Sequence, residues 1–566
     1  MQRLLYATLL TRAGERKGGR TAGAEASRRT AHAGITMEHT LGSVLGVSGS
    51  HMTVVLDAGA AANALRVGDM VKVRDESLVI VGNVSSLSYD QATPDRRLAV
   101  VDLLGEIVGS GPQATFQRGI SRYPAWSSAM FAADGDDLTV VYGTGGASGI
   151  RVGSLYHDAD RPAFVKTDDL LAKHFAILGS TGSGKSCAVT LLLSSIIERH
   201  PNAHVILLDP HNEYAGAFGE IAENINVDNL RLPFWLFDLE EAVRVLVRGG
   251  SQYEQESQAL ILKDVMTRAR RAFAGSGVTS SAISVDTPVP YRIPDLVRFL
   301  NESMGRLDKA DTSMPYLRLR TRLESLRDDR RFAFMFTDWF DTPDCLSELM
   351  GRVLRIPVGS KPISIIDLSG LPSEITDVVV SLSCRMIFDF ALWSDRRNMP
   401  PLLIVCEEAH RYVPSDERIG FAATSRAITR IAKEGRKYGV SLALVSQRPS
   451  ELSADALSQC GTVFALRMAN EPDQKFVERV LPEAAHGMVD SLQNLRTQDT
   501  IISGEAVGLP MRVRFDDLAA ERRPHSESAH FSESWQNERA GEAFRDDAIR
   551  RWRMQSRHEE LEDALK

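Results

Sequence analysis

A glycine-rich loop that carries a lysine and a serine is the strongest chemical signal in the sequence. Gly179, Gly184, Lys185 and Ser186 have the spacing Gly-x-x-x-x-Gly-Lys-Ser. The apolar run Phe175–Leu178 precedes the loop and an unbroken helical stretch follows it, which is the context that a phosphate-binding loop requires. A glycine-rich turn that merely contains Lys-Ser would not need both flanking elements. The pattern therefore predicts a site for a nucleoside triphosphate.

Each residue type in the loop suits that chemistry. Backbone N–H groups of the loop and the positive end of the following helix are expected to face the β-phosphate. Lys185 would reach the β- and γ-oxygens, and Ser186 would be a ligand for Mg²⁺. ATP and Mg²⁺ are therefore the predicted cofactors. The predicted nucleotide-binding residues are contiguous: Gly179, Ser180, Thr181, Gly182, Ser183, Gly184, Lys185, Ser186 and Cys187.

Two adjacent carboxylates follow a second apolar run. Leu402–Cys406 reads as a buried strand and ends in Glu407 and Glu408. At that strand end, Glu407 is predicted to lie beside the Mg²⁺ and to be its second protein ligand with Ser186. Glu408 is predicted to orient and polarise an attacking water, which hydrolysis needs in addition to positioning of the phosphates. The alternative is an acidic pair that caps a helix after an ordinary strand.

A third apolar run ends in a polar amide. Val440–Val445 is followed by Ser446, Gln447, Arg448 and Pro449. An amide at a strand tip beside the catalytic acids can detect the γ-phosphate and relay its loss, so Gln447 is predicted to belong to the catalytic site. Ser-Gln also opens many ordinary loops, and this alternative stays open.

A basic pattern lies between the acids and the amide. Arg426, Arg430, Lys433 and Lys437 recur at i, i+4, i+7 and i+11, as on one face of a helix, and Arg436 lies one position off that pattern. Nothing adjacent to the motifs neutralises charge developing on the γ-phosphate. Arg436 and Arg430 are therefore the candidates for an arginine inserted by a neighbouring subunit. A solvated or DNA-facing basic face is the alternative.

The elements that position these residues change along the chain. From about Leu41 to Tyr142 there are short β runs broken by glycine, which is typical of a small all-β barrel. From Asp169 apolar strands alternate with helices, which predicts an α/β core with a mostly parallel sheet. A helical insertion interrupts this core at about 239–355. The predicted division is 1–36, a basic extension; 37–150, the barrel; 151–518, the core; and 519–566, a charged tail.

Composition limits the classes of protein that remain. The chain has 566 residues, 43% of them hydrophobic and 25% charged, which is typical of a globular protein of several domains. Its formal net charge is -8, so any contact with nucleic acid must be made by a local basic patch. Five scattered cysteines indicate buried thiols in a reducing cytoplasm. No apolar run approaches the length of a membrane span.

Six segments together resemble the HerA family of hexameric DNA translocases. They are His174–Ser186, Asp209–Tyr214, Leu232–Phe237, Glu407–His410, Glu434–Gly439 and Ser446–Pro449. The resemblance covers about Met37 to Phe515. It implies a RecA-like P-loop ATPase core behind a barrel like that of rotary ATP synthases. It also implies a ring, expected to be a hexamer, that pumps duplex DNA irrespective of sequence. Asn212 stands where the family often has glycine.

The same resemblance implies a partner protein. A nuclease in DNA-end processing, or another effector in antiviral defence, is expected to work with the ring. Two alternatives are an ATP-binding scaffold or sensor that organises an effector, and a translocase for segregation or conjugation. The first needs the same nucleotide site as the motor, so only DNA-stimulated turnover separates the two. The second usually brings membrane segments or a different amino-terminal domain.

Overall fold

The structure is a computed structural model that describes most of the chain. The described residues are 39–75, 78–90, 93, 95–143, 145–146, 148–274, 282–305, 310–336, 344–416, 418–482, 485–524, 532, 535–536 and 541–554. The predicted basic extension, 1–36, and the last part of the predicted tail lie outside them. Among the described helices, none is both long and apolar enough to cross a bilayer.

Seven antiparallel strands form the amino-terminal domain. They are β1 (Gly42–Ser48), β2 (His51–Leu56), β3 (Met70–Asp75), β4 (Leu78–Tyr89), β5 (Arg97–Val108), β6 (Thr115–Arg118) and β7 (Ala129–Ala132). The sheet order is β2-β1-β7-β3-β4-β5-β6, and β2 also pairs with β5. That additional pairing closes six strands into a barrel and leaves β6 attached outside it. Alternate residues such as Val71, Val73 and Val101 fill the interior.

An eleven-stranded sheet forms the second domain. Its further strands are β8 (Gly149–Leu155), β9 (Asp158–Lys166), β10 (Phe175–Leu178), β11 (His204–Asp209), β12 (Ala222–Ile225), β13 (Ile363–Asp367), β14 (Leu402–Cys406), β15 (Val440–Ser446), β16 (Thr462–Ala465), β17 (Asp499–Gly504) and β18 (Met511–Phe515). The order is β12-β13-β11-β14-β15-β10-β16-β17-β18-β8-β9. The first seven are parallel and the last four are added antiparallel. The predicted α/β class, with a mostly parallel sheet behind a barrel, is confirmed.

The α-helices complete both domains. They are α1 (Ala60–Ala64), α2 (Gly135–Tyr142), α3 (Thr167–Ala172), α4 (Lys185–Arg199), α5 (Ala215–Phe218), α6 (Leu239–Leu246), α7 (Gln252–Ala274), α8 (Ile293–Met304), α9 (Ala310–Asp328), α10 (Ala333–Phe336), α11 (Leu346–Leu354), α12 (Ser373–Trp393), α13 (Ala422–Glu434), α14 (Ala454–Leu457), α15 (Glu471–Val480), α16 (His486–Val489) and α17 (Glu542–Met554). Shorter 3-10 turns include Phe234–Leu236, Ala409–Arg411 and Gly435–Tyr438.

Each central strand is buried on both faces, because helices cover the two sides of the parallel sheet. Along β10, Ala176 and Leu178 pack into one hydrophobic core, and Phe175 and Ile177 pack into the other. The period of two along a strand sends neighbouring residues to opposite faces. This is why these strands read as unbroken apolar runs in the sequence.

Helices α6 to α11 form the predicted insertion between β12 and β13. The segment Leu232–Phe237 anchors the insertion to the core, and its aromatic side chains are fully buried. The buried guanidinium of Arg270 donates to the carbonyl of Phe237 at 2.8 Å, and Arg385 donates to that of Leu236 at 2.8 Å. A buried cation that binds main-chain carbonyls satisfies groups that would otherwise be left without partners. The role of this segment in the fold is therefore structural.

One predicted strand is wrong. The run Leu138–Val141 is rich in β-branched residues, but it lies in α2. The Asp134 side chain accepts hydrogen bonds from the backbone N–H groups of Asp136 and Asp137, at 2.9 and 3.0 Å, and the Asp137 carboxylate accepts from the N–H of Asp134. This reciprocal cap begins a helix, and it outweighs the strand preference of the residues that follow.

Candidate nucleotide-binding site

The loop Gly179–Gly184 joins the end of β10 to the start of α4, as predicted. Gly184 caps the helix with φ of 99°, a left-handed conformation that favours glycine. A Cβ on Gly179 would stand 2.7 Å from the Ser183 hydroxyl and 2.8 Å from Leu466, so that position also needs glycine. The sequence thus folds into a tight loop whose N–H groups and helix end can face an anion.

Lys185 is the cation of this loop. Its side chain is buried, and its ammonium donates to the carbonyl of Ser180 at 3.1 Å. Burial lowers the pKa of Lys185, while the carboxylates of Glu407, Glu408 and Glu213 raise it. A lysine that is held among carboxylates and bonded to the loop itself is available to bind phosphate oxygens.

The carboxyl ends of neighbouring parallel strands bring the acids to the same edge. Leu178 pairs with Ser446 of β15, and Cys406 of β14 pairs with Leu208 of β11. The structure therefore places Glu407, Glu408 and Gln447 next to the loop, as the strand assignments predicted. Their functional roles remain predictions.

Glu408 is held by a chain of hydrogen bonds that begins in the loop. The Thr181 hydroxyl donates to the Gln447 carbonyl oxygen, and the Gln447 amide donates to Glu408 Oε1. Glu408 Oε2 lies 3.3 Å from Nδ1 of His410, which also lies 3.2 Å from the Ser446 hydroxyl. Glu408 has φ of 54°, so the backbone turns sharply away from Glu407 here. The amide of Gln447 thus links the phosphate loop to the predicted catalytic base.

Glu407 has different surroundings. It is buried, and its Oε2 atom has no hydrogen-bond partner among the described residues. Burial and the neighbouring Glu408 raise the pKa of Glu407 to about 8, and Lys185 opposes that shift. A buried carboxylate oxygen without a partner fits a cation ligand, because a bound cation would satisfy the oxygen and stabilise its charge.

A further carboxylate, that of Glu213, lies at Ser186. Glu213 was not among the predicted site residues. The Ser186 hydroxyl donates to Glu213 Oε2 at 2.6 Å. Asp209 ends β11 and accepts N–H bonds from His211 and Tyr214, both at 3.1 Å, which folds the turn that presents Glu213. Burial raises the pKa of Asp209 to about 6. The sequence shows that Glu213 follows the end of an apolar strand, β11. It does not show that Glu213 contacts Ser186.

Asn212 has φ of 55° in the same turn. Asparagine and glycine are the residues that adopt this left-handed conformation most readily. The departure from glycine at this position therefore keeps the backbone geometry of the turn.

These residues fit ATP with Mg²⁺. Ser186 and Glu407 would hold the metal, with phosphate oxygens as further ligands, and Lys185 would contact the phosphates. Among the described residues, no group of three or more His, Cys, Asp or Glu is arranged to hold a metal without such help. Mg²⁺ is usually bound by one or two carboxylates together with substrate phosphates. When bound, Mg²⁺ neutralises charge on the β- and γ-oxygens.

The two candidate arginines lie away from the nucleotide site of their own chain. Arg436 is exposed in the 3-10 turn that precedes β15, whereas Gln447 follows the other end of that strand. Seven strand residues separate those edges by roughly 20 Å. The Arg430 guanidinium lies 3.6 Å from the Asp389 carboxylate and 4.6 Å from the centre of the Phe388 ring. Arg436 is therefore too far to serve this site within its own chain, and Arg430 is engaged by Asp389 and Phe388.

The predicted basic helix face is also interrupted. Helix α13 ends at Glu434, so Lys437 belongs to the following 3-10 turn. Arg426 pairs with Glu240, and Lys433 lies 3.5 Å from the Asp455 carboxylate. The charges of these helical residues are therefore partly neutralised within the chain.

The fold and this site define a P-loop nucleoside-triphosphatase of the RecA-like α/β class. Residues 150–387 match the family model described as "Helicase HerA, central domain". The resemblance predicted from the motifs is thereby confirmed, and residues 150–387 are similar to the central domain of the HerA family.

Two relatives extend the match over most of the chain. The DNA double-strand break repair helicase HerA of Pyrococcus furiosus is 25% identical over 455 residues, which cover 74% of this chain and 77% of that protein. The protein of the same name from Sulfolobus acidocaldarius is 26% identical over 433 residues, which cover 75% and 79%. Among solved structures, VirB4 of Thermoanaerobacter pseudethanolicus aligns over 66% of this chain and 98% of its own, with 18% identity and a TM-score of 0.45.

Proposed function

We propose that this chain forms a hexameric ring of identical subunits. The ring hydrolyses ATP and uses the energy to move duplex DNA through its centre. The observation that carries the proposal is the hydrogen-bonded chain Thr181–Gln447–Glu408. It couples the phosphate loop to the predicted catalytic base through an amide on a separate strand. Gain or loss of the γ-phosphate at the loop can therefore reposition Glu408 and β15 together, which is what a motor requires and a passive nucleotide site does not.

The names of the relatives support DNA as the substrate. Both relatives described above are named as helicases that repair DNA double-strand breaks. We extend this to a partner nuclease in DNA-end processing, or another effector in antiviral defence. In this proposal the chain supplies force, and the partner supplies cleavage or another effect on the DNA.

Turnover with and without DNA tests the proposal. ATP hydrolysis by the full chain is measured alone and with linear duplex DNA, and removal of a protein roadblock from that DNA is followed in parallel. The motor predicts DNA-stimulated hydrolysis and ATP-dependent roadblock removal, both lost in Glu408→Gln. Slow hydrolysis that ignores DNA, without roadblock removal, would favour a scaffold or sensor instead.

Binding to DNA should depend strongly on salt and not on sequence. The net charge of -8 requires a local basic surface for DNA, and phosphate contacts weaken as salt rises through counterion release. For about six phosphate contacts, affinity should fall roughly 10³-fold between 50 and 200 mM salt. Fluorescence anisotropy with two duplexes of equal length and unrelated sequence measures this. Salt-resistant or sequence-selective binding would contradict the proposal.

A further inference from the structure

A second arginine lies directly on the phosphate loop. Arg467 follows β16, the strand that pairs with β10 on the side away from the catalytic acids. Its backbone carbonyl accepts from the N–H and the hydroxyl of Ser180, at 3.0 and 2.9 Å. Its guanidinium donates to the carbonyl of Gly182 at 3.3 Å. The main chain of Arg467 is therefore fixed to the loop, and its charge lies at the middle of the loop.

Among the described residues, Arg467 forms no ion pair with a carboxylate. Within the described part of the chain, the structure pairs it with no acidic side chain, and its side-chain contact is the neutral carbonyl of Gly182. By contrast, Arg430 and Arg448 each lie within ion-pair distance of an acid. A half-buried guanidinium whose bond among the described residues is to a carbonyl is available to a better acceptor.

Two cations therefore converge on this loop. Lys185 bonds the carbonyl of Ser180, and Arg467 bonds the carbonyl of Gly182, on either side of Thr181. Phosphate oxygens are stronger acceptors than carbonyls for a guanidinium, which can bind two of them at once. The carboxylates around Lys185 repel a bound triphosphate. A second cation at the loop would offset this repulsion.

We propose that Arg467 binds the triphosphate of the nucleotide held by its own chain. The inference rests on the proposed ATP site and adds a phosphate-binding residue to it. Arg467 leaves the Gly182 carbonyl and bonds phosphate oxygens, while its main chain stays anchored to Ser180. This cation acts within one subunit, whereas the predicted Arg436 contact crosses between subunits.

Affinity for Mg·ATP tests the contact. In the Glu408→Gln background, which prevents turnover, Arg467→Ala should weaken Mg·ATP binding roughly ten- to hundred-fold, because a charge-assisted hydrogen bond is lost. Arg467→Lys retains the charge without the planar fork and should recover part of the affinity. Arg479→Ala, an exposed arginine on α15, is the matched control and should leave binding unchanged. Affinity of the Arg467→Ala protein within two-fold of the background would overturn the proposal.

Mixed rings separate a contact within the chain from one between chains. Differently tagged Arg467→Ala and Glu408→Gln proteins are mixed, and joint assembly is proven by sequential purification on both tags. Every active site with an intact Glu408 then belongs to a chain that lacks its own Arg467, so the ATP concentration for half-maximal hydrolysis should stay as high in mixed rings as in the Arg467→Ala protein alone. A fall of this concentration to that of the unmodified protein would place the action of Arg467 across the subunit boundary and overturn the proposal. Absence of hydrolysis in the unmodified protein would instead refute the proposed function.

Discussion

At the scale of residues, Glu407 and Glu408 are adjacent but have different chemistry. The positive φ of Glu408 turns its side chain toward Gln447 and His410, which hold both carboxylate oxygens. Within the part of the chain that the structure describes, Glu407 keeps a buried oxygen without a hydrogen-bond partner, and its pKa is raised to about 8. A carboxylate fixed by an amide suits the orientation of water, and one that lacks a partner suits a metal. Pairs of acids whose surroundings differ in this way usually divide two roles.

Substitution of Lys185 and Glu408 should separate ATP binding from hydrolysis. Glu408→Gln keeps the size of the side chain but cannot polarise water, so kcat should fall roughly 10²- to 10⁴-fold while ATP affinity changes little. Lys185→Ala removes a phosphate contact and should lower both affinity and turnover. Calorimetry with Mg·ATP and a phosphate-release assay measure the two effects. Glu478→Gln, exposed on α15, is the control, and full turnover in Glu408→Gln would leave Glu407 as the candidate base.

The sequence was sufficient to predict the site residues that lie next to one another in the chain or directly after a strand. The glycine loop, Lys185 and Ser186 are contiguous, and the acidic pair follows its strand directly. Glu213 and Arg467 were not assigned roles because their contacts depend on which strands are neighbours in the sheet. The pairing of β10 with β16, for example, joins residues almost 300 positions apart. Spacing along the chain carries no information about such a contact.

At the scale of elements, burial on both faces made the parallel strands predictable from the sequence. The strands at the antiparallel end of the sheet were harder to predict. The predicted ends of β14 agree with the structure, and those of β15 differ by one residue at most. Strands β8 and β9 were not recognised because, at this end of the sheet, polar and apolar residues alternate only partly along each strand. Helix α2 was read as a strand because the cap at Asp134, which decides its conformation, precedes the apolar run.

The cap of α2 should contribute measurably to barrel stability. Asp134 caps the helix, and it binds the ammonium of the buried Lys72 at 2.8 Å, which Asp137 also binds at 2.7 Å. Asp134→Ala should therefore destabilise the barrel by about 1–2 kcal/mol. Thermal unfolding followed by circular dichroism measures the loss. Asp136→Ala, in the same turn, removes neither the cap nor the bond to Lys72 and should cost less. Equal losses would contradict the role of the cap.

The contribution of Asp134 should also depend on pH. Hydrogen bonds from Lys72 and from two backbone N–H groups outweigh burial and lower the pKa of Asp134 to about 2, from an ordinary value near 4. A lowered folded-state pKa stabilises the fold above the ordinary value, and this stabilisation is lost as pH falls toward 2. The difference in melting temperature between Asp134→Asn and the unmodified protein should therefore shrink between about pH 4 and pH 2.

At the scale of the whole molecule, the barrel contacts the core through β6 and through a buried apolar cluster of Val81, Ile107, Val141 and Leu509. Arg118 of β6 donates to the carbonyl of Gly508 at 2.8 Å and also binds the carbonyls of Gly504 and Val507. Strands β8 and β9 follow the barrel in the chain but belong to the core sheet, where β8 pairs with β18. Strand β8 begins at Gly149, two residues before the predicted start of the core at residue 151.

Truncation should show that the barrel serves assembly or partner docking and not catalysis. A chain that begins at Asp134 retains α2, β8 and β9, and should bind ATP as the full chain does while forming rings poorly. A chain that begins at Asp169 loses β8 and β9, exposes the edge of β18 and should aggregate. ATP affinity and light scattering measure both outcomes. Normal ring assembly and partner recruitment by the chain that begins at Asp134 would refute the role of the barrel.

The ring itself should be needed for hydrolysis, because Arg436 lies roughly a strand length from the site of its own chain. An arginine supplied by a neighbour contributes roughly 10³–10⁵ in rate where this has been measured in other phosphoryl-transfer enzymes. Arg436→Ala and Glu408→Gln should each be inactive alone. In mixed rings, some boundaries join an intact Glu408 to an intact Arg436, so part of the activity should return. Rings proven to contain both proteins but without recovered hydrolysis would exclude Arg436 as the residue that acts across the boundary, and the same mixture with Arg430→Ala would then test Arg430.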